Sequence, residues 1–198
     1  MIMDEKIISH AVQAIQQGKL IVYPTDTLYG LGASIFEHNA INSIYQIKKR
    51  PFSLPLPIAV SNMKMLSQYV QLTSLAQQLA NHFLPGKLTL VCRKKPMVVD
   101  TITSGNETVA IRIPHDEIAL NIINKTGPIL ATSANIHGQK TPKSISEIRK
   151  LFKPEDIEVY IDDGPRNGAP STIVDVTGSQ PKILREGSIS AERIRSFK

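Results

Sequence analysis

Apolar runs of strand length alternate along this chain with stretches of helical periodicity, and that alternation leaves little choice other than a sheet covered by helices. Residues 20–22, 56–60, 88–92, 108–113, 129–132, 159–161 and 173–176 read as strands. Between them lie the helical patterns. Asp4 is placed to cap a first helix whose stripe is Ile7, Ile8, Ala11, Val12 and Ile15, and Gly18 stands where that helix should stop. Residues 39–49 carry a second stripe through Ile41, Ile44, Tyr45 and Ile47, ending at Arg50-Pro51 because proline disfavours a helical residue before it. Residues 63–70, 74–83, 117–125, 145–152 and a short segment from Ala191 continue the series. Irregular residues 101–107 and the Pro/Gly-rich residues 164–170 interrupt it, which favours hairpins and a mixed sheet. The expected fold is α/β: one domain over residues 1–198, a twisted, mixed, open sheet flanked by helices, with no repeat and no linker.

At 41% hydrophobic and 20% charged residues, with a mean hydropathy of -0.08, the composition is that of a globular protein and gives no support for a membrane span. The first 17 residues carry Asp4 and Glu5 within a helical pattern, unlike a basic signal region or an acid-poor transit peptide, so a cytoplasmic location is expected. Cys92 is the only cysteine, which excludes an internal disulfide and a thiolate metal cage; within Leu88-Thr89-Leu90-Val91-Cys92 it reads as a small buried hydrophobe. The five histidines are scattered without metal-ligand spacing. Lysine and arginine number 23 against 17 acids, a formal +6, which suits anionic partners: nucleotide phosphates or a nucleic-acid backbone. With 5% aromatics and no tryptophan, the chain lacks the stacking platform of a single-strand binder, so a small nucleotide or duplex shape fits better.

Chemistry concentrates in a few segments. Tyr23-Pro24-Thr25-Asp26-Thr27-Leu28-Tyr29-Gly30-Leu31-Gly32 follows the first strand and gathers hydroxyls where that strand ends. It reads either as a loop shaped round a small polar ligand or as a turn whose threonines bond their own backbone. Lys48-Lys49-Arg50 ends a helix, where the dipole alone favours cations, but Pro51, Pro55 and Pro57 stiffen the segment that leaves it, so these cations are also fit to hold a polyphosphate. Ser133-Ala134-Asn135 leaves the carboxyl end of a strand, a ligand position in open α/β sheets as well as a cap position. Arg112 lies within an apolar strand and needs an anion or an exit to the surface; its planar fork suits a carboxylate. Ser171-Thr172 and Arg185-Glu186-Gly187 are candidates of the same kind. Asp162, Asp163 and Asp175 show no metal or acid/base spacing, Pro85-Gly86-Lys87 lacks the remainder of a phosphate-loop pattern, and Gly30 and Gly32 lack the third glycine of a dinucleotide fingerprint.

Taken in order, Tyr23 to Leu31, Lys48-Lys49-Arg50-Pro51, Pro55-Leu56, Leu84-Pro85-Gly86 with Leu88-Thr89-Leu90, Arg112-Ile113-Pro114, Thr132-Ser133-Ala134-Asn135, Ser171-Thr172 and Arg185-Glu186-Gly187 resemble the threonylcarbamoyl-AMP synthase family. These are the YrdC-like proteins that begin threonylcarbamoyl modification of adenosine in tRNA. The resemblance implies a YrdC-like fold and a nucleotidyl transfer joining L-threonine, bicarbonate and ATP into threonylcarbamoyl-adenylate with release of pyrophosphate. A partner complex would then carry the carbamoyl group to tRNA. It further implies that Lys48 and Arg50 hold the ATP phosphates and act catalytically, and that Thr108, Asn135, Ser144 and Arg185 line the nucleotide. Thr25, Thr27, Arg112, Ser133 and Ser171 would hold threonine. Mg²⁺ is expected to ride on phosphate oxygens with no protein metal site, and no residue stands out as base for the threonine amine. Direct contact with tRNA or duplex RNA, and a sibling enzyme with another acceptor, remain alternatives.

Three positions depart from the family pattern. Lys49 stands where glycine is usual, Leu54 where asparagine is usual, and His137 where serine is usual. The first adds charge near the phosphates and the second removes a nucleotide contact. The chain ends soon after the synthase motifs, so no additional C-terminal domain is expected.

Overall fold

The computed structural model of the chain describes residues 5–197, so the cap expected of Asp4 lies outside the described residues. Helix α1 (Glu5–Gln16) buries Ile8, Ala11, Val12 and Ile15, and Gly18 ends it at φ +71°, a conformation glycine adopts without a Cβ clash. Helix α1 packs beside α6 (Glu117–Thr126), whose N-terminus is capped by Asp116. Together these two helices cover Ile21, Tyr23 and Val159 in one apolar cluster.

The fold is mixed α/β, as expected, but the strands fall into two sheets. The first has the order β8-β2-β1-β9 and contains β1 (Ile21–Tyr23), β2 (Gly30–Gly32), β8 (Thr132–Ser133) and β9 (Val159–Tyr160). The second runs β11-β10-β5-β6-β3-β7, with β4 also paired to β5. Its members are β3 (Ile58–Ala59), β4 (Val70–Gln71), β5 (Leu88–Lys94), β6 (Thr108–Arg112), β7 (Ile129–Leu130), β10 (Thr172–Asp175) and β11 (Lys182–Arg185). The run expected as one strand over 129–132 therefore splits at Ala131: β7 pairs with β3 and β8 with β2, so this segment passes from one sheet to the other.

Strand β2 falls in what reads as a loop. Its glycines leave room for Tyr23, whose residue pairs with Gly30 across the hairpin. A Cβ on Gly30 would lie 3.0 Å from the Tyr23 ring, and one on Gly32 would lie 2.8 Å from it. Both glycines thus permit close approach of a protein side chain, and Gly30 also lines the cleft described below.

Helix α2 (His38–Ile47) buries Ala40, Ile41, Ile44 and Tyr45 and stops two residues before the expected end. Arg50 N–H donates to Tyr45 O and Lys49 N–H to Gln46 O, the paired bonds of a left-handed helix stop. Helices α3 (Met63–Tyr69) and α4 (Ser74–Phe83) are capped by Asn62 and Thr73. The expected irregular stretch at 101–107 contains the short helix α5 (Asp100–Thr103). Helix α7 (Ile145–Ile148) is shorter than its apolar pattern, and α8 (Ala191–Arg195) closes the described chain. Cys92 is buried in the larger apolar cluster, as expected, and that burial pushes its thiol up to about 12. Among the described residues, no helix is long and apolar enough to cross a membrane.

Candidate active site

A cleft of about 380 Å³ opens between the two sheets. The first sheet contributes the loop after β1, with Thr25 and Thr27, and Ser133 at the end of β8. The second contributes Thr89 of β5, Arg112 of β6, Ser171 just before β10 and Arg185 of β11. Arg50 lines the same cleft from the turn after α2. Residues that are 160 positions apart in the sequence, Thr25 and Arg185, thus share one wall-to-wall space.

The helix stop after α2 explains where Arg50 points. Lys49 sits at φ +51°, so the backbone reverses there and delivers Arg50 to the cleft. Its Nε donates to Leu54 O at 3.2 Å, its Nη2 to Pro55 O at 2.8 Å, and its Nη1 lies 3.3 Å from His137 Nδ1. The departure at Leu54 leaves this contact intact, because the main chain supplies the acceptor. The departure at His137 puts an imidazole directly against Arg50.

Arg112 is held at the far side. Its Nη2 donates to Asp26 Oδ1 at 2.6 Å and to Gly86 O at 3.0 Å, and its Nη1 to Thr27 Oγ1 at 3.3 Å. The anion that a strand arginine requires is thus supplied in part by the protein. Asp26 was absent from the expected site residues; an acid inside a loop of hydroxyl and apolar residues was the available signal. Arg185 donates from Nη2 to Ser171 O at 2.8 Å, and burial together with the like charge of Arg112 pushes its guanidinium below the usual range. No carboxylate lines the cleft among the described residues, and with Arg112 set against Asp26 behind the lining, Arg50 and Arg185 leave it a net positive field.

The hydroxyls form their own network. Thr25 Oγ1 lies 2.9 Å from Thr27 Oγ1 and bonds Leu28 O at 2.6 Å, which is the self-bonded turn and a cleft wall at once. Thr89, also unforeseen, places its Oγ1 2.8 Å from Ser171 Oγ. Residues 164–170 cross over this network so closely that a Cβ on Gly168 would lie 2.4 Å from Thr27 O. Arg166 fastens that segment: its N–H donates to Lys143 O at 2.8 Å and its Nη2 pairs with Asp116 and Asp163.

Four expected residues lie outside the cleft lining. Lys48 is 1% exposed, and its ammonium donates to Ser133 O, to Asn135 O at 2.8 Å and to Asn135 Oδ1 at 3.1 Å. It braces the 133–135 turn instead of presenting a free cation. Burial, then the charge of Arg50, pushes this ammonium down to about 7. Asn135 is consumed by Lys48, Ser133 Oγ and Gln139 O. Thr108 shares the strand face of Ala110 and Arg112 but sits at the opposite end of β6, and Ser144 caps α7. No group of three or more histidine, cysteine or acidic residues among the described residues could hold a metal ion.

The family described as telomere recombination, Sua5/YciO/YrdC, matches residues 13–187. The chain belongs to this family. Its relatives include a protein named threonylcarbamoyl-AMP synthase from Pyrococcus abyssi, 41% identical over 183 residues, or 91% of this chain and 54% of the relative. The chain thus spans about half the length of that relative. A putative threonylcarbamoyl-AMP synthase from Mycobacterium tuberculosis is 36% identical over 186 residues, 93% of this chain and 85% of the relative. Among solved structures, P. abyssi Sua5 complexed with L-threonine superposes with a TM-score of 0.89 at 40% identity, covering 94% of this chain and 56% of that one.

Proposed function

We propose that this chain is an L-threonylcarbamoyladenylate synthase, a nucleotidyltransferase that forms threonylcarbamoyl-AMP and pyrophosphate from L-threonine, bicarbonate and ATP. The observation that carries this reading is one cleft between the sheets that brings guanidinium groups and a set of hydroxyls into the same space. Arg50 and Arg185, which have no acidic partner among the described residues, suit phosphate oxygens; Arg112 and the Thr25, Thr27, Ser133 and Ser171 hydroxyls suit an amino acid. The names of its relatives support the same chemistry.

In the reaction, the neutral threonine amine adds to the carbon of bicarbonate, a carbon–oxygen bond breaks and water leaves to give a carbamate, and a carbamate oxygen attacks the α-phosphorus. The bond from that phosphorus to the bridging oxygen breaks, and pyrophosphate leaves with the electron pair. Charge builds on the departing phosphates, where fixed guanidinium groups cost no reorganisation. Holding both substrates in one cleft supplies the remaining advantage. Among the described residues the lining offers no carboxylate for Mg²⁺, so a metal accompanying ATP would be held by the nucleotide and would supply further neutralisation of phosphate charge. The product is a labile mixed anhydride; residues 164–170, crossing over Thr27, are placed to keep water from it.

Pyrophosphate release is the test. Release that requires both L-threonine and bicarbonate is the expected result, and Arg50→Ala should reduce it at least about 100-fold while the fold persists. Release indifferent to threonine, or wild-type turnover in Arg50→Ala, overturns the assignment; release with another amino acid would identify a sibling enzyme. The formal +6 charge favours contact with tRNA or duplex RNA in addition, in a cytoplasmic setting where a transfer complex takes up the adenylate. That contact should weaken steeply with salt.

A further inference from the structure

We infer that Asp26 is a positioning residue that sets the charge of the amino-acid subsite, so that Arg112 accepts a net-neutral amino acid and refuses the phosphates that Arg50 and Arg185 take. The inference rests on the proposed reading of the cleft, and it concerns how one cleft lined by three arginines tells a polyphosphate from a zwitterion.

By charge alone, every guanidinium in the cleft should prefer a phosphate, because a polyphosphate carries more charge than a carboxylate and matches the same planar fork. The structure breaks that equivalence. Among the described residues, Arg50 and Arg185 bond main-chain carbonyls and one imidazole and form no ion pair. Of the three cleft arginines, Arg112 is the one with a carboxylate partner among the described residues, with side-chain exposures of 9% for Arg112 and 8% for Asp26. In so buried a pair the two charges cancel locally, and removing either partner leaves the other uncompensated.

The pair is also incompletely satisfied. It is made through one N–H···O contact and is not a bidentate fork; Arg112 Nε and Asp26 Oδ2 are buried without hydrogen-bond partners among the described residues. Arg112 Nη1 meets only the Thr27 hydroxyl, at 3.3 Å. Asp26 therefore neutralises Arg112 without using up its donors. What remains is a neutral subsite with hydrogen-bonding capacity for a carboxylate, adjoining a cationic one.

The experiment compares wild type, Asp26→Asn and the charge-balanced double variant Asp26→Asn/Arg112→Gln. Thermal unfolding is followed with increasing inorganic phosphate, and phosphate and L-threonine binding are measured by calorimetry. Asp26→Asn should gain one phosphate site, show a larger phosphate-dependent rise in melting temperature than wild type, and lose about 10- to 100-fold in apparent L-threonine affinity when phosphate is present, because phosphate now competes for Arg112. The double variant should lose the added phosphate site. If Asp26→Asn fails to fold without phosphate, recovery in phosphate supports the inference. Continued failure there, while the double variant folds, overturns it. An unchanged phosphate response in folded Asp26→Asn, with L-threonine affinity within about twofold of wild type, also overturns it. If wild type binds no L-threonine, the proposed function fails, while the phosphate comparison still decides the role of Asp26.

Discussion

Lys48 Nζ reaches both carbonyl groups of Asn135, the main-chain oxygen at 2.8 Å and the side-chain oxygen at 3.1 Å, and the third donor goes to Ser133 O. Three N–H donors thus meet three oxygens at a site 1% exposed. A helix end and a strand end 87 residues apart are joined by a single ammonium group. Lys48→Met keeps the aliphatic stem, removes the donor of Asn135 O, and takes one of two donors from Ser133 O and from Asn135 Oδ1. A loss of about 1–3 kcal/mol in urea unfolding is expected, the cost of a buried acceptor left without a donor. The same lysine predicts a pH dependence. It titrates near 7 in the folded chain against 10.5 for the unperturbed group. Between those values the unfolded chain binds the additional proton, so stability rises with pH by up to about 1.4 kcal/mol per unit. This contribution is complete above 10.5 and lost as pH falls through 7. The difference between wild type and Lys48→Met across that window isolates the slope; a flat difference would refute it.

Lys49 occupies φ +51°, where the helix stop turns the chain toward Arg50. A side chain is strained in that conformation and glycine is not. Lys49→Gly should therefore stabilise the protein by about 0.5–1 kcal/mol, net of the greater unfolded-chain entropy of glycine. Denaturant midpoints would show it, and a destabilised variant would mean that the lysine side chain contributes more than its backbone costs.

Thr89→Val removes one hydroxyl of the pair with Ser171 while preserving volume and strand propensity. Ser171 then loses its fixed partner on the cleft wall. The KM for L-threonine should rise about 5- to 10-fold, corresponding to about 1 kcal/mol, with little change in the KM for ATP. Steady-state kinetics in each substrate separates this from a general loss of folding, which would lower active concentration and leave both constants alone.

Gly168→Ala tests the segment crossing the threonine loop. The added methyl would lie 2.4 Å from Thr27 O, so one of the two segments must move. Because residues 167–170 are exposed, the displacement should cost little global stability yet lower turnover in the proposed synthase reaction about tenfold or more by misplacing Thr27. Unchanged turnover would show that the segment moves aside without consequence for the site.

The α/β class, the stripe of α1, the stop at Gly18 and the burial of Cys92 were all legible from local pattern, because periodicity and glycine chemistry act over a few residues. Arg112 announced its need for an anion in the same way. The partner did not announce itself: Asp26 is 86 residues away, and only the packing of the β1–β2 loop against β6 brings the carboxylate to the guanidinium. Lys48 was legible as a cation and illegible as a brace, since nothing near it in the chain indicates that Ser133 and Asn135 will surround it.

The strands marked a similar boundary. A glycine-rich stretch has poor strand propensity, so β2 reads as a loop; it pairs because the Tyr23 ring fills the space its missing side chains leave. The split of 129–133 between two sheets is equally invisible, because both halves carry a strand pattern and only their partners differ. By itself, then, the sequence determined most of the helices and the longer strands, the charge and the chemical groups available, which are properties of short segments and of composition. Tertiary structure alone decided which arginine is neutralised, which lysine is buried and which hydroxyls face one another, because those depend on contacts closed across long loops, whose partners local sequence does not encode.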